Sequence, residues 1–168
     1  MKTLVAEVRP ALVRDAAVLS RIHEAAWRHA YAGLIPHRAL RTMVERRGAD
    51  WWTRAVENRA TILVMEYGGE IVGYATLGRN RTRALSPDGE IYELYLAPRF
   101  QGLGFGRRLF DSCRTLLRAR GLSGLVVWAL SDNNNAIRFY EAMGGCDVAV
   151  GSETFDGTTL GKTAYTFL

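Results

Sequence analysis

The residues best equipped for chemistry crowd into one stretch of the 168-residue chain. Positions 90–106 read EIYELYLAPRFQGLGFG. Two carboxylates, Glu90 and Glu93, sit within an aromatic and aliphatic run, and Gly102, Gly104 and Gly106 alternate just beyond it. A carboxylate can draw a proton from an amine as the amine attacks, directly or through a water. An alkylammonium has a pKa near 10.4, so below about 0.1 % is nucleophilic at neutral pH and such a base is needed. Glycines let the backbone adopt positive φ and approach an anion. The free amides at the start of a following helix then point at that anion. The odd spacing of Glu90 and Glu93 places them on opposite faces of a regular strand, so only one serves a given face unless a bulge intervenes.

Two familiar phosphate loops do not fit. A Walker loop needs Gly-Lys-Ser/Thr after its spacer, which is absent. A dinucleotide fingerprint runs from strand straight into GxGxxG, with an acid about 20 residues on. Here the spacing is GxGxG, Pro98 interrupts the approach, and residues 122–127 hold no acid. What matches is Gln101-x-x-Gly104-x-Gly106 after a run ending Leu-Tyr-Leu-Ala-Pro. This resembles the acetyl-CoA pyrophosphate loop of the GNAT N-acetyltransferases. A later segment, Asn133-x-x-Ala136-x-x-Phe139-Tyr140-Glu141-x-x-Gly144, is similar to that family's second motif, in the right order and at the right separation. Trp27-x-x-x-Tyr31-x-Gly33-Leu34-Ile35-Pro36 also resembles a stretch found in many of its members. One departure stands out: Gly144-Gly145-Cys146 replaces the usual Gly-Phe, which changes packing after the helix.

The resemblance implies a residue-by-residue site. Gln101, Gly102, Leu103, Gly104, Phe105, Gly106 and Arg107 would hold the pyrophosphate of acetyl-CoA through main-chain amides. The backbone of Leu94, Tyr95 and Leu96 would pair with the pantetheine arm, and the amide near Leu96 would polarise the thioester carbonyl. Asn133 would bond the pantetheine, although its position equally suits a helix cap. Tyr140 would protonate the departing thiolate. A phenol with a pKa near 10 is still protonated at neutral pH. Glu90 lies where the base of histone-type members lies and is preferred to Glu93; either could instead be a strand residue or an arginine partner. Trp27 and Tyr31, four apart on one helical face, would wall the acceptor pocket or pack the core. The implied activity is N-acetyl transfer from acetyl-CoA to a primary amine by direct attack, with no covalent enzyme intermediate. A catalytically silent acyl-CoA-binding domain is the alternative. The acceptor would be a small molecule or a peptide amine. A homodimer follows only from family habit.

The elements that must position these residues follow from periodicity. Leu4–Arg9 reads as a strand closed by Pro10. Asp15 reads as the cap of a helix to about Ala30, with Val18, Ile22, Ala25 or Ala26, and His29 on one face. His37–Val44 and Asp50–Asn58 suit two further helices, the second capped by Asp50. Thr61–Tyr67 and Glu70–Leu77 suit a hairpin turning at Gly68-Gly69. Residues 78–89 suit a polar, arginine-rich mobile loop. Glu90–Leu96 then forms a strand, Phe105–Arg120 a helix and Gly124–Leu130 a continuous apolar strand. This unit should be a right-handed crossover with its two strands parallel. Asn134–Met143 is a helix, and Asp147–Phe155 with Lys162–Phe167 a closing hairpin that includes Asp156-Gly157 among its turn residues. The order β-α-α-β-β-β-α-β-α-β-β, with the short Asp50 helix additional, is one α/β domain over residues 1–168. The resemblance makes it a GNAT fold: a mixed, mostly antiparallel sheet with one splayed parallel pair, flanked by helices.

Composition sets outer limits. Hydrophobic content of 48 % with 23 % charge is ordinary for a globular chain. No apolar run approaches the ~20 residues of a membrane span. The first ten residues, cut by Glu7, lack a signal-peptide core, so a cytoplasmic location is expected. Cys113 and Cys146 suit reduced structural thiols. His23, His29 and His37 lack ligand spacing, so no metal is expected. The net charge is +5, and Arg99, Arg107, Arg108, Arg114, Arg118 and Arg120 concentrate positive charge around the glycine loop and its helix. That suits a polyanion such as CoA. No nucleic-acid motif accompanies it, and no nucleic-acid partner is expected.

Overall fold

The computed structural model describes residues 4–168. In chain order the elements are β1 (Ala6–Pro10), α1 (Ala16–Tyr31), α2 (His37–Arg46), α3 (Ala49–Glu57), β2 (Ile62–Tyr67), β3 (Glu70–Arg79) and β4 (Gly89–Leu96). They continue with α4 (Phe105–Ala119), β5 (Leu125–Leu130), α5 (Asn134–Ala142), β6 (Cys146–Phe155) and β7 (Thr158–Phe167). Single 3-10 turns occupy Val13–Asp15 and Pro98–Phe100. The strands form one sheet in the order β1-β2-β3-β4-β5-β7-β6. Every neighbouring pair is antiparallel except β4 and β5, as the crossover argument requires.

Two apolar layers cover the sheet. Leu109, Phe110, Cys113 and Leu117 of α4 pack with Leu63, Ala75, Ile91 and Val127 on one face. Leu19 and Ile22 of α1 and Trp52 of α3 pack with Val64 and Tyr74 on the other. Neighbouring residues Leu63/Val64 and Tyr74/Ala75 serve opposite layers, as period-2 alternation dictates. A third cluster joins Tyr31, Ile35, Leu40 and Val44 to Leu130 and Phe155, tying α2 to the far end of β5 and β6. Phe110 and Trp52 are wholly buried, and truncating either to alanine would cost about 3–5 kcal/mol.

Several expected boundaries shift for local reasons. The buried stripe of α1 runs through Leu19, Ile22, His23 and Ala26, and His29 is exposed. Asp15 precedes α1 but caps no helical amide. Its carboxylate accepts the Leu12 amide at 2.8 Å and a two-pronged contact from Arg9 at 2.8 and 3.1 Å. Burial pushes that carboxyl up, but Arg9 and the Leu12 amide more than offset this, holding it below the usual range. Gly48, not Asp50, occupies the N-cap of α3. Pro10 closes β1 as its last residue and still pairs with Leu63, which an edge strand tolerates. The closing hairpin turns tightly on Asp156 and Gly157, both with positive φ, so β7 begins at Thr158 rather than Lys162. The Gly68-Gly69 hairpin is as expected, with Tyr67 opposite Glu70. Three helices precede β2, the short α3 among them.

Candidate functional site

Strand β4 is built to open a gap. It pairs with β5 only at Gly89, Glu90 and Ile91, opposite Leu125, Val126 and Val127. Beyond that point the strands diverge, and the backbone of Leu94–Leu96 has no β5 partner. On its other side β4 stays paired to β3 as far as Leu96 opposite Gly73. The register slips once: Thr76 faces Glu93, but Leu77 faces Ile91. Tyr92 is the extra residue, a bulge.

The gap opens into a groove of about 520 Å3. Leu94, Tyr95 and Leu96 form one wall; Asn133, Phe139 and Tyr140 form the other; Gln101, Gly102, Gly104, Gly106 and Arg107 close one end. Leu103 and Phe105 contribute no side chain to it. Leu103 points outward, 63 % exposed, and Phe105 packs on Tyr67 and Phe100.

The glycine loop has the backbone that an anion cradle needs. Gly102 and Gly104 have φ of +75° and +87°, and Gly104 is the N-cap of α4. The first amide to reach back into the loop is that of Arg108, onto the Gly104 carbonyl at 3.3 Å. The amides of the turn before it have no intrahelical partner, and the helix dipole adds to their attraction for negative charge. Gly106 lies inside the helix for a different reason: a Cβ there would come within 3.1 Å of the Phe139 ring. The cradle and groove therefore fit a diphosphate continuing into a slender extended arm.

Asn133 serves its helix, accepting the Ala136 amide at 3.3 Å, while also bordering the groove. Tyr140 is buried against Phe110, Phe139, Tyr165 and Phe167. Burial, with Tyr31 and Cys113 nearby, pushes its hydroxyl above the ordinary phenol value, so it stays protonated. Cys113 is buried, its thiol pushed up to about 12 by burial, and Cys146 is exposed; neither borders the groove.

A second cavity of about 490 Å3 adjoins the groove, and Tyr95 borders both. The bulge brings Glu90 and Glu93 to this one cavity. Each carboxylate is held. Glu90, 2 % exposed, accepts the Arg81 amide at 3.0 Å and the Arg81 guanidinium at 2.7 and 3.2 Å. Glu93 accepts the Tyr74 hydroxyl at 2.8 Å and pairs with Arg47 at 2.7 Å. Both are arginine partners that also face a cavity.

Trp27 and Tyr31 wall the same cavity, their rings 5.3 Å apart, and the Tyr31 hydroxyl bonds that of Tyr95. Trp52 is core, whereas Trp51 is half-buried beneath the Arg47 guanidinium at 4.0 Å. The 80–88 segment is organised on Asn80, whose side chain donates to the Leu85 and Pro87 carbonyls and accepts the Thr82 amide. It contributes Arg81 and Thr82 to the cavity. The final hairpin contributes Glu153, Phe155 and Lys162, which flank its turn, rather than the turn itself. Sequence reasoning missed Arg47, Tyr74, Arg81, Trp128 and Lys162. The one legible hint was Trp128, a lone ring with a polar edge inside the apolar β5 run. Among the described residues no group of three His, Cys, Asp or Glu is placed to hold a metal, and no helix is long and apolar enough to cross a membrane.

Comparison with known proteins places the chain among acetyltransferases. The chain is 29 % identical over 135 residues to the uncharacterized N-acetyltransferase YuaI of Bacillus subtilis, covering 80 % of this chain and 77 % of that one. It is 31 % identical over 127 residues to a mycothiol acetyltransferase of Streptomyces bingchenggensis, covering 72 % of this chain but only 39 % of that protein. In fold it resembles yncA of Salmonella typhimurium, solved with its cofactor acetyl-CoA: TM-score 0.70, 24 % identity, covering 96 % and 92 % of the two chains. The model of the acetyltransferase (GNAT) family matches residues 20–145, which hold the glycine loop, both carboxylates and Tyr140. The chain belongs to the acetyltransferase (GNAT) family.

Proposed function

We propose that this protein transfers an acetyl group from acetyl-CoA to a primary amine, by direct attack within a ternary complex. The observation that carries the reading is the junction at Tyr95, where a groove closed by an anion cradle meets a cavity bordered by two carboxylates. Bound acetyl-CoA would supply an activated thioester. The amides of residues 102–107 would hold its diphosphate, with Arg107 adding charge. The unpaired backbone of Leu94–Leu96 would take the arm as an added strand, and an amide there would face the carbonyl oxygen.

Proton movement falls to the side chains. Glu93 adjoins the splayed segment and has two protein donors; Glu90 is deeper and has three. A carboxylate offers about four lone-pair sites. This supports Glu93 as the proton acceptor ahead of Glu90, the reverse of the order that sequence spacing suggests. Tyr140, kept protonated by burial, would donate to the leaving thiolate. Residues 1–168 act as one N-acetyltransferase domain in this reading, with a cytoplasmic location and a homodimer expected from the family. Thiol release from acetyl-CoA in the presence of an amine panel tests the transfer. Calorimetric binding of acetyl-CoA without thiol release from any amine would instead support a silent acyl-CoA-binding domain.

A further inference from the structure

The second cavity carries a charge pattern that narrows the acceptor, on the premise that the acetyl-transfer reading above holds. Two of its carboxylates are already neutralised, Glu90 by Arg81 and Glu93 by Arg47. The end bordered by Tyr95 is therefore close to neutral, which suits an amine that must shed its proton. The opposite wall differs. Lys162 has no carboxylate within 4.0 Å among the described residues; its ammonium lies 4.8 Å from the centre of the Trp128 ring. Trp128 in turn donates to Thr82 at 3.2 Å, beside Arg81, so Lys162 and Arg81 are linked along one wall. Glu153 is the remaining charged group of the cavity. It lies on the same hairpin face, opposite Leu160 while Lys162 is opposite Gly151, and it is not ion-paired with Lys162. Ile35, Met43 and Phe155 add apolar surface to the cavity.

We propose that the acceptor is a free amino acid with an apolar side chain. Its amine faces Glu93 and Tyr95, its carboxylate lies on Lys162 with Arg81 behind, and its side chain meets Ile35, Met43 and Phe155. A cation held on an aromatic face and lacking a protein counter-ion favours a ligand anion, through a charge-assisted hydrogen bond. A polyamine would bring a second cation against Lys162, and a peptide N-terminus would bring no carboxylate to it. The transfer balances as an amine acylation: the N–C bond forms, the C–S bond breaks, the amine proton passes to a carboxylate of the cavity and the thiolate takes a proton from Tyr140.

The test uses the full chain and matched acceptors: L-phenylalanine, L-phenylalaninamide and phenethylamine, then L-leucine, L-leucinamide and isopentylamine, with spermidine as a dicationic control. Thiol release gives kcat/KM, and calorimetry with acetyl-CoA is run alongside. The amide is the stringent control, because its amine is less basic and more of it is free at neutral pH. The expected result is a preference of about tenfold or more for amino acid over amide, one charge-assisted bond's worth. That preference collapses in Lys162→Met, through KM, and is kept in Lys162→Arg. Equal use of amides or amines, preference for spermidine, or an unchanged ratio in Lys162→Met would each overturn the acceptor class while leaving the transfer reading standing; acetyl-CoA binding with thiol release from no panel member would overturn both. Failure of acetyl-CoA to bind would sink the transfer reading itself, and the acceptor class with it.

Discussion

Glu90 and Glu93 border the same cavity although they lie three residues apart on one strand. A regular strand would send them to opposite faces. The extra residue Tyr92 between Ile91 and Glu93 reverses the alternation at the point where β4 leaves β5. One bulge therefore both frees the backbone of Leu94–Leu96 and gathers two carboxylates beside it. Bulges next to active sites commonly re-aim side chains in this way.

The two carboxylates should separate by substitution. Glu93→Gln is expected to lower kcat by about 10²–10³, the ordinary worth of a general base. Glu90→Gln should cost less than about tenfold in rate, its main effect being to loosen Arg81 and the 80–88 segment. Rate constants of the two variants would decide it; a larger loss in Glu90→Gln would assign the base there.

Tyr140 should act as an acid over an unusually wide range. Its hydroxyl is pushed above the ordinary value by burial, so its proton stays in place at pH values where a free phenol begins to ionise. The wild-type rate should therefore show no alkaline fall from this group below about pH 10. Tyr140→Phe should lower kcat by about 10²-fold with acetyl-CoA affinity unchanged. Wild-type kcat in the variant would remove Tyr140 from the mechanism.

His23 makes stability depend on pH. It is fully buried, and both ring nitrogens lack partners among the described residues. Burial, then the charge of Arg47, depress its pKa from 6.5 to about 3. The folded state thus holds His23 neutral while the unfolded chain takes up a proton below about pH 6.5. Stability is unaffected above that value and falls as pH drops, by on the order of 2 kcal/mol between pH 7 and 5. Urea midpoints at the two pH values measure this. His23→Phe should shrink the difference; an equal difference in the variant would place the effect elsewhere.

Gly104 holds the left-handed conformation with open space where a Cβ would go. Alanine there meets no clash, so its cost is backbone strain alone, about 1 kcal/mol. Gly104→Ala should lower acetyl-CoA affinity about fivefold or more while Tm falls only a few degrees. Unchanged affinity would mean that the loop's shape does not matter to binding.

Much of this site was legible in the chain because it rests on local chemistry. Positive φ at Gly102 and Gly104, the strand–turn–helix around them, and the crossover making β4 and β5 parallel all follow from residues close in sequence. What stayed hidden depends on pairing between distant segments. The Tyr92 bulge exists only as a mismatch with β3, and nothing in EIYELYL marks it. Arg81 and Lys162 reach the cavity from two separate hairpins, and Arg47, the partner of Glu93, comes from the end of α2. The start of β7 was obscured by Thr158-Thr159-Leu160-Gly161, which reads as loop until the Asp156-Gly157 turn fixes its partner strand. The stripe of α1 was misjudged because His23, a polar residue by type, is buried among Trp27 and Trp52.

The central claim is that main-chain amides of residues 102–107 grip a diphosphate and lay an acyl thioester along β4. Calorimetric titration of acetyl-CoA against S-acetylpantetheine, which has the same thioester arm but no diphosphate, tests it most directly. Acetyl-CoA should bind at least about 100-fold more tightly, the worth of two or more charge-assisted amide contacts. Equal affinity for the two, or no binding of acetyl-CoA at all, would contradict the account.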